Sequence, residues 1–570
     1  MKVKHRKVKR KLFNPDEIAT AISQALSRDF MDAQHAYCVN DSTVAYAFNR
    51  QVNDILKKYC SLTSDKDRLQ AEAFDKFRQT NLHMGQTNDL IRQGSFQELT
   101  RIQSSTKVED KIHLRAKHLV NQVLGSFSLE EMYTEARNSS GSSLGVSYRD
   151  TSPEAKFTLP MSVTTRAKPY IVDYLTYDGS LRRAIDNFND KRPLAEWYET
   201  VEGSRATTVD KTTEKRRFIC IEPTANMFFQ QGLMQMMYKR LKTVGLNVMS
   251  LPDRHKQWAK FSSISLKDAT IDWSSASDCV SIELLRWLLP PAWFDMVWDL
   301  RCDSTELENG SREKLQMIST MGNAVTFPLE TLTFWAYAMA TIFTINNKTS
   351  NTMFPRWDHL YGCCSVFGDD CILPTYAAKL YLSVMGGIGF IVNDDKSFYD
   401  GPMQFRESCG GDYLAGYDVR PFTLKAPSST SRSALEPWLY IITNALVEKY
   451  ILYFGELSYV YDKELWRVIA SLFRKHKIQM KLVPPHYPDD AGVKGLTQDI
   501  LRWRSLYPVE LSRIERSNHG TYTFRYCSYK YRDGQQRDDH IRYALWLKQP
   551  TVQRGRSILS QDETDEPYRK

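Results

Sequence analysis

At 570 residues the chain is too long for one ordinary domain, and 42% hydrophobic with 25% charged residues excludes wholesale disorder. Of the formal net charge of +9, seven units lie in the acid-free arm of residues 1–11 (MKVKHRKVKRK), so the other 559 residues carry only +2. That excludes a uniformly basic nucleic-acid coat, and ten cysteines without a CxxC pair exclude a zinc ribbon or a disulfide scaffold, leaving reduced cytosolic thiols as the expectation.

The basic arm admits two readings, an RNA contact through counterion release or a solubilising tail. It is followed by Leu12-Phe13-Asn14-Pro15-Asp16-Glu17, where a signal peptide would need an apolar core. The next segments read as helical: Ser64 can cap a helix with Asp65 and Asp67 in its first turn and Leu69, Ala73, Phe74 and Phe77 at helical spacing. At 138–166 the texture turns small and polar, and Asn138–Gly145 is expected to be a surface loop. Thr and basic residues at 200–225 precede an apolar strand, Phe218-Ile219-Cys220-Ile221.

From 271 to 424 short β-type runs alternate with helical ones, an α+β pattern. Asp272 closes the first of these runs in Ala269-Thr270-Ile271-Asp272-Trp273-Ser274-Ser275-Ala276-Ser277-Asp278, and small residues leave room beside it. Asp278 precedes an amphipathic helix (Ile282, Leu285, Leu288, Leu289) that stops at Pro290-Pro291, so by itself it reads as a helix cap. Gly322-Asn323 suits a tight loop leading into a helix that tolerates Pro328 in its first turn. The longest uncharged apolar stretch, Thr331 to Asn347, falls short of the roughly 20 residues of a bilayer span and reads as a buried helix.

Next, Phe367-Gly368-Asp369-Asp370 stands between apolar runs around Val366 and Cys371-Ile372-Leu373, a hairpin whose turn needs the Gly. Asp and Gly are ordinary turn residues. Two adjacent acids at the tip of an apolar hairpin nevertheless repel unless a divalent cation neutralises them. Oxygen-only ligands from two strands suit Mg²⁺, and a pair of such ions can activate a hydroxyl and stabilise leaving pyrophosphate. No His/Cys set competes, since His113 and His118 cannot share a helix face. The remainder, 430–556, reads as mainly helical and then aromatic and basic, and the final QDETDEPYRK as a solvated tail. Between 502 and 556 stand 12 Lys/Arg against 5 Asp/Glu, and Tyr522 and Phe524 alternate with Thr523 and Arg525 at strand spacing. Such a strand stacks its rings on single-stranded bases with Arg525 towards phosphate, or packs them in a core; both readings stand.

In order, DWSSASD, STMGNAVTFPLE, FGDDCILP, Phe405-Arg406-Glu407-Ser408-Cys409-Gly410 and Asp418-Val419-Arg420-Pro421-Phe422 resemble the motifs of the replicase β subunits of small single-stranded RNA phages, the leviviruses. Ile221-Glu222-Pro223 and Pro290-Pro291-Ala292-Trp293-Phe294 add to the resemblance, which is good over roughly residues 155–425, weak before them and only general after them. It implies a right-hand polymerase with palm, fingers and thumb, the palm built on an antiparallel sheet. The implied divisions are a basic arm and helical region (1–100), fingers (101–265), a palm (266–425, with a fingers insertion near 290–318) and a thumb with a basic-aromatic end (426–570). The implied activity is primer-independent synthesis of RNA on an RNA template. Asp272, Asp369 and Asp370 would hold two Mg²⁺ ions, and Asp278, Gly322 and Asn323 would lie at the ribose of the incoming NTP. Lys211, Lys215, Arg216 and Arg217 would meet the triphosphate, although Glu214 interrupts that run. Lys396 would protonate pyrophosphate; a solvated turn lysine is its alternative. Implied partners are the RNA template and product, host elongation factors Tu and Ts and a small-subunit ribosomal protein, in the cytoplasm of an infected bacterium and without a membrane. A non-enzymatic RNA-binding protein and a reverse transcriptase are the rivals, the first disfavoured by the intact acids, the second by Asp278 and Asn323.

Overall fold

Helix formers and β-branched runs alternate along the chain, and the computed structural model turns them into an α+β fold. It describes residues 13–35, 42–62, 65–94, 107–146, 151–346, 362–401, 403–427, 429–455, 462–483 and 485–494, together with the backbone of strands Ile514–Arg516, Tyr522–Phe524 and Glu566–Tyr568. The basic arm, Ser64 and Arg525 lie outside the described residues.

The apolar stretch after Pro328 becomes the helix Thr326–Asn346, buried almost end to end against the helices Val108–Leu124 and Thr375–Gly387. It is apolar all round because protein surrounds it. No described helix is long and apolar enough to cross a membrane. Beside it lies a three-stranded antiparallel sheet in which Asp370–Pro374 is central, flanked by Asp268–Ile271 and Ser365–Phe367. A hairpin of Ser204–Thr212 and Lys215–Ile221 forms a second sheet with Ser304–Glu306 and Arg312–Lys314. Residues read near 290–318 as an insertion are thereby joined to the 204–221 hairpin.

The long helix Lys66–Gln93 ties these parts together. Its apolar stripe carries Phe77 onto Phe218 with ring centroids 3.8 Å apart. Its polar side bonds the rest: Asn81 Nδ2 donates to the Lys314 carbonyl (2.9 Å) and Asn88 Nδ2 to the Gln316 carbonyl (2.7 Å). The cap of this helix is Asp65, whose carboxylate accepts from the Arg68 amide, one residue beyond the Ser64 position read from sequence.

A second core joins the segments 13–59 and 405–493. The helices Pro15–His35 and Ser42–Asp54 pack on Arg432–Phe454 and Glu464–Lys475, with Phe48, Tyr450, Trp438 and Trp466 inside. The first hundred residues are therefore shared between two cores. The 138–146 segment is the expected loop, with Ser140, Gly141 and Gly145 exposed, and it is pinned where Ser143 is buried, its hydroxyl 2.8 Å from that of Thr224, and the Leu144 amide donates to the Glu222 carbonyl. Within the tail read as solvated, Glu566–Tyr568 forms a strand paired with Tyr522–Phe524, since ladder bonds use backbone groups whatever the side chains. The eight described cysteines are free.

Candidate active site

The antiparallel register sets the site. Ile271 stands opposite Cys371, so Asp272 and Asp370, one residue beyond each, lie at the same end of adjacent strands. Asp369 occupies the turn before Asp370, where Gly368 takes φ +61°. A Cβ on Gly368 would come 2.5 Å from the Phe327 ring, and the Gly368 amide donates to Thr331 Oγ1 (2.9 Å). The buried helix Thr326–Asn346 thus holds the turn through two of its side chains.

Asp272 is held by a segment read from sequence only as the surroundings of Lys396. Asn393 Nδ2 donates to its Oδ2 (2.6 Å), the Asn393 amide to its carbonyl (2.9 Å), and its own amide to Ser397 Oγ (3.1 Å). Burial and then Asp272 raise the pKa of Asp369; burial and then Asp369 push Asp370 up to about 7. Crowding of like charge in a dry setting is costly, and a divalent cation relieves it. Among the described residues no three His, Cys, Asp or Glu side chains form a ready-made metal cage. Hard oxygen donors from one or two carboxylates are what Mg²⁺ takes, waters and phosphates completing its shell, so these acids fit it.

Asp278 is not the cap of the following helix, as its position suggested. Ser281 caps Ile282–Leu288, its Oγ accepting from the Leu284 amide. Asp278 instead ends the short 3₁₀ turn Ala276–Asp278, accepts from the Met321 amide and keeps Oδ1 buried without a partner. Burial pushes its pKa up to about 6. That bond sets Asp278 beside the Gly322-Asn323 loop. Gly322 has φ +126°, and a Cβ there would overlap the Cys220 carbonyl, so the loop lies directly on the strand Lys215–Ile221. Asn323 is buried, its Oδ1 accepting from the Val325 amide (3.0 Å).

The four basic residues at 211–217 part company. Arg217 acts electrostatically on Asp278 and Asp369, and Lys211 lies within range of Asp272, its pKa lowered by burial and then by Arg217. Arg216 bonds Thr208 Oγ1 (2.8 Å) and Asp210 (2.5 Å) on its own hairpin, and nothing joins Lys215 to the acids. For Lys396, burial is outweighed by Glu407, then Asp272 and Asp370, which hold its pKa above the usual lysine value; its Nζ is 3.6 Å from Glu407.

Glu330 is the acid that sequence reading left without a role. It is fully buried, its Oε1 has no partner, and burial followed by the nearby Asp369 drives its pKa well above the usual range. Lys76 was missed altogether: it stands on the Lys66–Gln93 helix and acts on Asp278 and Lys211. One lysine on the exposed side of an amphipathic helix carries no signal in sequence. Tyr522 and Phe524 lie in their expected strand.

The family model described as RNA replicase, beta-chain, matches residues 11–544. The chain is similar to the RNA-directed RNA polymerase subunit beta of Enterobacteria phage SP, 29% identical over 490 residues, covering 84% of this chain and 76% of that protein. It is 32% identical over 374 residues to the protein of that name from Qbeta virus (strain MX1), covering 65% and 58%. To the RNA-directed RNA polymerase beta chain of Escherichia phage MS2 it is 30% identical over 392 residues, covering 68% and 66%. The chain therefore spans less than two thirds of the Qbeta and MS2 relatives' own length. A solved structure, the BmCPV RNA-dependent RNA polymerase at elongation state, is similar with TM-score 0.36 and 11% identity, covering 68% of this chain and 36% of that one.

Proposed function

The chain belongs to the RNA replicase beta-chain family, and on that premise we propose that it is the catalytic subunit of a phage RNA replicase, synthesising RNA on an RNA template without a primer. The observation that carries the assignment of chemistry is the meeting of Asp272 and Asp370 at one end of adjacent strands, with Asp369 in the turn that leads into Asp370. Asp272, Asp369 and Asp370 would hold two Mg²⁺ ions, which when bound ease ionisation of the attacking 3′-hydroxyl and neutralise charge on the departing pyrophosphate. Arg217 and Lys211 attract the triphosphate towards the acids. Lys396, kept protonated by Glu407 and the aspartates, donates its proton to pyrophosphate. Asp278, with Gly322 and Asn323 beside it, faces the ribose. Lys215 and Arg216 serve the same basic segment as support, Arg216 by bracing the hairpin.

Within this reading residues 101–265 form the fingers, 266–425 the palm and 426–570 the thumb. The antiparallel acid-bearing sheet supports the palm, and pairing of Ser204–Thr212 with Ser304–Glu306 supports a finger insertion near 290–318. Tyr522, Phe524 and Arg525 are a stacking face for single-stranded RNA. Elongation factors Tu and Ts and a small-subunit ribosomal protein are the expected companions inside the bacterium, and the relatives' name, subunit beta, supports an assembly.

Template-directed incorporation of labelled NTP, with and without Mg²⁺, tests the assignment. Asp369→Asn and Asp370→Asn are each expected to abolish incorporation while RNA is still retained. Substantial synthesis by both variants would sink it, and a preference for dNTP would indicate a reverse transcriptase.

A further inference from the structure

The strands Phe405–Ser408 and Gly411–Leu414 pair with Ser408 opposite Gly411, so Cys409 and Gly410 alone make the turn between them. Both take positive φ, +48° and +76°. A two-residue turn of this kind favours Asn-Gly or Gly-Gly, because a Cβ at positive φ crowds its own backbone. Gly410 meets that demand, and Arg420 closes over it, its guanidinium 3.1 Å from where a Cβ would stand. Cys409 does not meet it. A residue kept in a costly conformation points to work done by its side chain there.

The Cys409 amide and thiol both donate to the Asp370 carboxylate. The Ser408 side chain bonds the Cys409 sulfur in turn. Behind Ser408 stands His255, fully buried on the helix Leu251–Ser265, with Nδ1 2.9 Å from Ser408 Oγ and Nε2 2.8 Å from Ser365 Oγ. Ser365 opens the strand that leads into the Gly368 turn. Arg406 Nε donates to the Asp268 carbonyl (2.8 Å), on the strand that leads to Asp272. From the other side Asp412 accepts from Arg50 (2.8 Å) and Arg420 (2.9 Å), which ties the hairpin to the helix Ser42–Asp54. These bonds place the turn against both acid-bearing strands without the Cys409 thiol, so holding the hairpin does not account for it.

We propose that Cys409 is a positioning residue for Asp370, holding its carboxylate beside Asp369 and Asp272 against their mutual repulsion, ready to share a divalent cation. The inference deepens the polymerase reading and rests on it. A carboxylate crowded by like charge escapes by rotating its side chain, and two donors from one residue remove that freedom. Groups that orient metal ligands in this way set affinity without touching the metal.

Titration of the full-length protein, purified with its companions, with Mn²⁺ tests the role, since Mn²⁺ takes the same oxygen ligands as Mg²⁺ and the paramagnetic signal of the free ion reports binding directly. The relevant share is the binding that Asp369→Asn removes, so ions held by the companions subtract out. Cys409→Ala should weaken that share about tenfold, and Cys409→Ser, which keeps a donor, should recover most of it. Cys409→Gly separates positioning from packing, because Gly takes positive φ without strain. Its urea midpoint should match or exceed the parent's while Mn²⁺ binding falls as far as in the alanine variant, and it decides the matter if Cys409→Ala fails to fold. The Mg²⁺ concentration for half-maximal incorporation should rise in parallel, with NTP KM at saturating Mg²⁺ within about twofold of the parent's. Unchanged Mn²⁺ binding in the alanine and glycine variants would overturn the role. So would a serine variant as weak as alanine, losses that track the urea midpoint across all three, or a parent with no binding that Asp369→Asn removes. Failure of the parent to incorporate NTP with its Mn²⁺ binding intact would sink the polymerase reading, and the titration would still judge Cys409.

Discussion

Asp278 concentrates the conflict between stability and use that a polar site imposes. Its folded-state pKa of about 6 exceeds the ordinary aspartate value of about 3.9, so the folded protein binds this proton more tightly than the unfolded chain. The resulting stability is fully present below about pH 4 and is lost as pH rises through about 6. Asp278→Asn cannot ionise and escapes that loss. It should be more stable than the parent at pH 8 by on the order of 2 kcal/mol, the gap closing by about pH 4. Urea midpoints at the two pH values check this, and a gap independent of pH would refute it. The same substitution should weaken discrimination of NTP from dNTP, measured by competing incorporation. Glu330 carries the same sign, since burial and Asp369 favour its neutral form.

Among elements, the helix Lys66–Gln93 has the widest reach, and Asn88 is its most committed residue. Asn88 Oδ1 accepts from Ser281 Oγ (2.7 Å) and the Glu283 amide (3.1 Å), while Nδ2 donates to the Gln316 carbonyl. Asn88→Ala would leave these buried groups unpaired, with an expected cost of about 2–4 kcal/mol. The loss should be visible as a lower urea midpoint, with incorporation falling further than stability because the hairpin bearing Arg217 rests on the same helix. Activity equal to the parent's at a temperature where both are folded would refute that coupling. The helix itself was legible from Leu69, Ala73, Phe74 and Phe77; its partners were not, because polar residues on a helix face read as solvent-exposed until something is packed against them. The Phe367–Asp370 turn was legible from its Gly between apolar runs; that Phe327 closes over it was not.

At the scale of the molecule, the second core makes the segments 13–59 and 405–493 depend on each other. Asp29, on the first described helix, accepts from Tyr450 Oη (2.8 Å) and from the amides of Glu464 (2.8 Å) and Leu465 (2.9 Å). It therefore satisfies the start of a helix more than four hundred residues away, where Lys463 provides no side-chain cap. Asp29→Ala should destabilise this core by about 3 kcal/mol. Trp438 and Trp466 lie within it, so near-ultraviolet circular dichroism should show an early partial transition in urea before the acid-bearing core unfolds. A single transition shifted as a whole would show instead that the two cores unfold together.

What the sequence determined by itself was local or carried by ordered motifs: the acid-ended strand, the Gly-Asp-Asp turn, the buried helix after Pro328 and the family they resemble. These depend on backbone preference and hydrophobic period, which neighbours in the chain fix. Tertiary structure alone decided that Asp278 is a buried acid bonded to the 320s loop, that Arg216 braces its hairpin while Arg217 and Lys211 lie within electrostatic range of the acids, and that Asn393 and Ser397 hold Asp272. The surroundings of Asp278 and Asp272 and the reach of Arg217 and Lys211 join segments distant in the chain, and their sign and strength arise from burial and from charges that folding alone brings within range.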